Sequence, residues 1–81
     1  MDLTDIDREM LRLVREGKVL HLTTPLGEDS YERTDGGDLD WDALNRLARL
    51  DLIAWPSTGV GTESRERAEL TEDGQEAARG L

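Results

Sequence analysis

Asp42, Asn45, Arg46 and Arg49 recur at i, i+3, i+4 and i+7, so on a helix they form one outward polar stripe. Their chemistry is recognition: a carboxylate accepts, an amide donates and accepts, and a guanidinium presents a planar fork of donors. Bond-making chemistry finds less support. The chain has no Cys, which excludes disulfides, thiolate metal sites and Cys nucleophiles. With His21 as the single His, a metal site would have to rest on carboxylates, and the many acids fall in no recognisable ligand spacing. His21 itself, alone in a strand pattern, reads as structural or simply exposed, not as a pH sensor or catalyst. Asp35-Gly36-Gly37-Asp38 lacks the spacing of a calcium loop, and its glycine pair lacks the pattern of a phosphate cradle, so it reads as a turn. No catalytic residue, metal or cofactor is expected, and an enzyme is the least favoured class.

The element that must carry the stripe is a helix over 41–50. Trp41, Leu44, Leu47 and Ala48 line its apolar face, and Asp40 is placed to accept from the free N–H groups of the first turn. Beyond Leu50 the pattern changes to Leu52-Ile53-Ala54-Trp55, a strand closed by Pro56. A polar loop with Gly59 and Gly61 follows, then alternating residues from Arg67 to Thr71, so 52–71 reads as a hairpin whose tip carries Arg65 and Arg67. Thr71 caps a last short helix, 72–79, with Ala77 and Ala78 inward and Gly80 after it.

Ahead of this lies a first helix, 4–16, with Thr4 as N-cap, Asp5 and Asp7 in the first turn, and Gly17 at the position that ends helices. Ile6, Met10, Leu13 and Val14 are expected on its inner face, with Leu3 as a hydrophobic staple and Arg8, Arg12 and Arg15 outside. Residues 18–34 alternate on either side of Thr24-Pro25-Leu26-Gly27, which reads as a β-hairpin. The expected class is therefore α+β, one small domain over 1–81, in the order α-β-β-α-β-β-α.

Composition sets the remaining bounds. The chain has 81 residues, 36% of them hydrophobic and none of them Phe, so the core rests on Leu, Ile, Val and two Trp. Such a core is modest unless the chain pairs with a copy of itself. No apolar run approaches the roughly 20 residues of a membrane span, and MDLTDIDRE is acidic where a signal peptide needs positive charge. The cytoplasm is the expected compartment. Net charge is −9, spread as −2 over 1–17, −3 over 18–39, −1 over 40–51 and −3 over 52–81. Nine of the ten bases are Arg, a balance that fits a salt-adapted cytoplasm; a GC-rich coding bias would explain the scarcity of Lys but not the acid.

Leu44-x-x-Leu47-x-x-Leu50-x-Leu52-Ile53, a glycine-containing hairpin and Leu70-Thr71-x-x-Gly74 together resemble the winged helix-turn-helix superfamily of small prokaryotic regulators. The resemblance covers about 40–81, and the overall layout also resembles the YjhX-type winged-helix proteins. Asp51 stands where the family usually has Gly, and the hairpin at 18–34 replaces the usual second helix. The resemblance implies a transcriptional regulator that binds double-stranded DNA with helix 41–50 in the major groove. Asp42, Asn45, Arg46 and Arg49 would lie at the bases, with Arg46 and Arg49 on guanine or phosphate and Asn45 on adenine, while Arg65 and Arg67 reach the flanking backbone. Against it stands the charge, which gives a monomer a poor long-range field for DNA unless it dimerises or works in high salt. The alternative is an acidic winged-helix module for protein–protein contact, anchored by Trp41 or Trp55, with a DNA-mimicking decoy as its extreme form.

Overall fold

In a computed structural model of the chain, residues 3–26, 28–55 and 64–80 are described. Three helices and five strands form one α+β unit: α1 (Asp5–Arg15), β1 (Val19–Thr23), β2 (Asp29–Arg33), α2 (Trp41–Arg49), β3 (Ile53–Ala54), β4 (Ser64–Arg67), β5 (Glu69–Leu70) and α3 (Glu72–Ala78). Among the described residues, no helix is long and apolar enough to cross a membrane.

Local chemistry fixes both ends of α1. The Thr4 hydroxyl accepts from the Asp7 N–H at 3.1 Å, and the Asp7 carboxylate accepts from the Thr4 N–H at 3.1 Å. This reciprocal box satisfies two of the helix's free donors. At the far end Gly17 takes φ +76°, and the N–H groups of Gly17 and Lys18 close onto the carbonyls of Val14 and Leu13. The same closure ends α2. Asp40 accepts from the Ala43 N–H at 2.9 Å at its start, and Asp51 sits at φ 59° past its end, with Asp51 N–H on Ala48 and Leu52 N–H on Leu47. The left-handed turn that Gly usually makes is here made by Asp, and it delivers Leu52, 1% exposed, into the core.

The buried face of α1 differs from the apolar pattern expected of it. Met10, Leu11, Leu13 and Val14 are buried together with Asp7, whereas Ile6 is 51% exposed. The capping box holds Asp7 inward, while Ile6, on the same face as the buried Met10 and Leu13, stands exposed in the first turn of the helix.

The strands also divide differently. β1 pairs antiparallel with β2 (His21 opposite Tyr31) and with β4 (Leu20 opposite Arg67, Leu22 opposite Arg65), giving the order β2-β1-β4. β3 pairs antiparallel with β5, Ile53 opposite Leu70. Of the strand expected over 52–56, the described residues pair at 53–54, and the return limb expected near 67–71 runs from 64 to 70 in two pieces. Ala68 stands between them, 1% exposed, its N–H on the Val19 carbonyl at 2.9 Å. Residues 56–63 of the expected 52–71 hairpin lie outside the described residues, and Arg65 and Arg67, expected at its tip, lie in β4.

Thr71 and Gly74 join the end of this limb to the exit of α2. The Thr71 N–H bonds the Leu52 carbonyl at 3.1 Å, its hydroxyl donates to the Asp51 carbonyl, and the same hydroxyl accepts from the Gly74 N–H at 3.0 Å. A Cβ on Gly74 would stand 1.9 Å from the Leu52 carbonyl oxygen, so α3 can seat itself here only without a side chain. Core residues from all layers, including Leu11, Leu13, Val19, Leu44, Leu47 and Leu52, meet in one cluster.

Two substitutions separate these effects. Helix propensity alone makes Gly74→Ala worth about +1 kcal/mol, but overpacking against backbone costs roughly 1–3 kcal/mol or more. The clash prevails, so thermal unfolding of Gly74→Ala should show a lower Tm. Asp51→Gly relieves the left-handed residue and should raise stability by up to about 1 kcal/mol in the same measurement.

Candidate functional site

All four residues of the polar stripe of α2 are exposed, as expected, but Asn45 and Arg46 also hold partners within the domain. Arg46 reaches back to α1, its Nε and Nη2 donating to one oxygen of Asp7 at 3.1 and 2.8 Å. Asp7 is 2% exposed, and its other oxygen already accepts from the Thr4 N–H. Arg46 and the Thr4 hydrogen bonds hold the Asp7 pKa below the ordinary carboxylate value, against the pull of burial in the other direction. Asn45 is engaged as well: its Oδ1 accepts from the Tyr31 hydroxyl at 2.8 Å. Asp42 and Arg49 remain exposed, and Arg49 forms no ion pair among the described residues.

Asp42, Asn45 and Arg49 border a cleft between α2 and the sheet, together with Asp29, Tyr31 and Trp55. Behind it His21 is buried, stacked on Trp55 with ring centroids 3.9 Å apart and edge-on to Tyr31 at 5.5 Å. His21 Nε2 lies 3.2 Å from an Asp29 oxygen, yet neither ring nitrogen makes an aligned hydrogen bond among the described residues. Burial lowers the His21 pKa, and nearby Asp29 offsets only part of that, so the ring is neutral at pH 7. It packs as an aromatic plate.

The hairpin arginines stand elsewhere. Val19, His21 and Tyr31 point into the core, so on the pleated sheet Leu20 and Leu22 point to the other face. Arg65 and Arg67, directly opposite Leu22 and Leu20, share that outer face. Arg65 Nη2 pairs with Glu32 there at 3.2 Å, and Arg67 lies along Gly17, its Cδ 3.5 Å from where a Cβ would sit. The six residues expected to form one surface thus occupy three places: the cleft, the contact between α1 and α2, and the outer sheet face.

A feature absent from the expected site lies beside the start of α2. Trp41 is 48% exposed and edge-on to Tyr31 at a centroid distance of 6.0 Å, while Ile6 stands exposed on α1 and Leu39 is half-buried in the connector. Trp41 carried a sequence signal as an aromatic anchor; Ile6 did not, because it shares a helix face with Met10 and Leu13, which are buried.

No protein-family model matches the sequence, no curated protein matches it, and no solved structure matches it.

Two titrations follow. Asp7→Ala removes three hydrogen bonds to a carboxylate, and because Arg46 can turn into water the loss should lie near the low end of the range for charged hydrogen bonds, about 1.5 kcal/mol at pH 7. The Asp7 pKa is lowered in the folded state, so its contribution is present above the unfolded value of 3.8 and fades as pH falls through the folded one. The gap between wild type and variant in denaturant midpoint should close on acidification. His21 shifts the same way with the opposite charge. Because the unfolded ring takes up a proton more readily, stability should decline as pH drops below 6.5, and His21→Phe should flatten that limb.

Proposed function

We propose that this chain is a small winged-helix-like domain that works by binding another protein. The winged-helix part of the reading is supported by the limb at 64–70, which pairs with β1 through β4 and with β3 through β5 and so anchors a wing to the body on two sides. The left-handed exit of α2 at Asp51 and the Thr71–Gly74 lock supply the local geometry for the Leu-Ile and Leu-Thr-x-x-Gly signatures.

One observation favours a protein over DNA as the partner. The groups that would read bases are engaged inside the domain, Arg46 with Asp7 and Asn45 with Tyr31, and the hairpin arginines lie on a different face. An amide whose carbonyl accepts from Tyr31 must share that oxygen, or break the bond, to make the two-point contact to adenine. The remaining charge is −9, distributed over every segment, which repels a polyanion at long range. A decoy would need those acids on one continuous face, and their spread over all three helices and both hairpin limbs at 29–33 and 64–70 gives that form no support.

Sequence-specific binding to double-stranded DNA, as a regulator of transcription, is the second reading. It is favoured by Arg49, exposed on α2 with no ion pair among the described residues, and by Arg46, whose side chain is still 45% exposed. An anisotropy titration of labelled duplexes, including the stretch upstream of its own gene, at low and at molar salt separates the two. The protein-binding reading expects no sequence-selective binding in either. Selective binding that Arg49→Ala weakens by about 10-fold or more, the size of a lost base contact, would overturn it in favour of the regulator.

A further inference from the structure

Resting on the protein-binding reading, we infer that the surface of Ile6, Leu39 and Trp41 docks a basic amphipathic segment of a partner, an apolar side chain flanked by Lys or Arg. Of the large apolar residues that are exposed, Leu26 sits in the turn of the first hairpin and Leu50 caps α2, whereas Ile6 and Trp41 lie on either side of Leu39. Leu39 lines two adjoining clefts, one with Ile6 and Met10 and the other with Tyr31 and Trp41. The patch is therefore continuous across α1, the connector and the first turn of α2.

Three further observations give it the character of a binding surface. Ile6 is exposed in the first turn of α1, although Met10 and Leu13 on the same face are buried. The Trp41 ring is steadied edge-on against Tyr31, so less rotamer freedom is lost when a partner covers it. The cleft beside Ile6 is bordered by Glu9, Asp38 and Asp40 and by no base. Glu9 is paired with Arg12, an arginine it shares with Glu16, and Asp40 caps α2, so the acids of this rim still outnumber the bases that meet them. On the other side Arg33, the base that borders the second cleft, is tied to Asp35 at 2.7 Å.

An apolar patch with a carboxylate rim selects by charge. A second copy of this chain carries the same −9 and the same rim, nucleic acid and anionic lipid are repelled, and an acidic segment would bring like charges together. A cationic segment with an apolar side chain satisfies both the patch and its border.

The test uses the full chain at physiological salt and three fluorescein-labelled peptides followed by anisotropy: an amphipathic Lys/Leu peptide, the same peptide with Glu for Lys, and a Lys/Ser peptide of equal charge. The Lys/Leu peptide should bind and the other two should not. Ile6→Ser and Trp41→Ala, both at exposed positions, should each weaken binding about 10-fold, the size of an anchor loss, with circular dichroism unchanged. Glu9→Gln with Asp38→Asn should weaken it several-fold, whereas the charge-matched pair Asp73→Asn with Glu76→Gln on α3 should leave it unaltered. Equal binding of the Lys/Ser peptide, equal loss in the α3 pair, indifference to Ile6→Ser and Trp41→Ala, or no binding of any peptide each overturns this surface. The protein-binding reading falls separately, through selective DNA binding in the duplex titration.

Discussion

A carboxylate taken out of water must be met by charge or hydrogen bonds, and Asp7 is met by both. Its demand organises much of the domain. Thr4 supplies the backbone donor that starts α1, and Arg46 supplies the guanidinium that ties α1 to α2 over 39 positions of sequence. The arrangement has a consequence at the surface: Arg46, though still partly exposed, is tied back toward α1 and is less available to a partner. Such a pair adds little net stability over an apolar contact of the same shape; its effect here is on register, fixing how α1 is rotated against α2.

A second constraint acts at the other end of α2. The left-handed Asp51 turns the chain so that Leu52 enters the core with its carbonyl facing the approach of α3. Thr71 bonds that carbonyl and the one before it, and Gly74 passes close over it. With β5 already paired to β3, the returning limb is held from its last strand into its helix. The same limb meets β1 through β4, so the short strands that could not stand alone are braced by neighbours on two sides.

What could be read from the residues was mostly local. Caps announce themselves through single side chains, and Thr4, Asp40 and Thr71 each accept the backbone donor expected of such a residue. Asp51 tolerates a left-handed backbone for a reason internal to the residue, and Gly17 likewise. The surface was harder because it depends on pairings distant in sequence. Nothing near Asp7 says that its partner is Arg46, and without that pair an acid in the first turn of a helix reads as exposed. Arg65 and Arg67 could be assigned to a face only once their register against β1 was known, since a shift of one residue exchanges the faces of a strand. The division of the limb at Ala68 has the same origin: it reflects two strands competing for one partner, which alternation in a single segment cannot reveal.

The acid surface is best understood through the distances over which its charges act. Most bases have carboxylates at contact range, among them Arg8 with Asp5, Arg12 with Glu9 and Glu16, Arg33 with Asp35, and Arg65 with Glu32. Exposed pairs of this kind contribute little to stability, but they remove the arginines from the pool of groups free to meet phosphate. With 19 acids to 10 bases, pairing leaves an excess that is wholly negative. That excess is screened beyond about 8 Å at physiological salt, so what a partner meets on contact is the local pattern. At Ile6, Leu39 and Trp41 the local pattern is apolar with carboxylates at its edge, and at Arg49 it is a lone cation beside Asp42. The first can hold a cationic amphipathic chain by two cooperating forces, while the second offers an anionic duplex a single contact inside an opposing field. The difference in number and sign of contacts, more than the fold, is what supports the proposal of a protein partner.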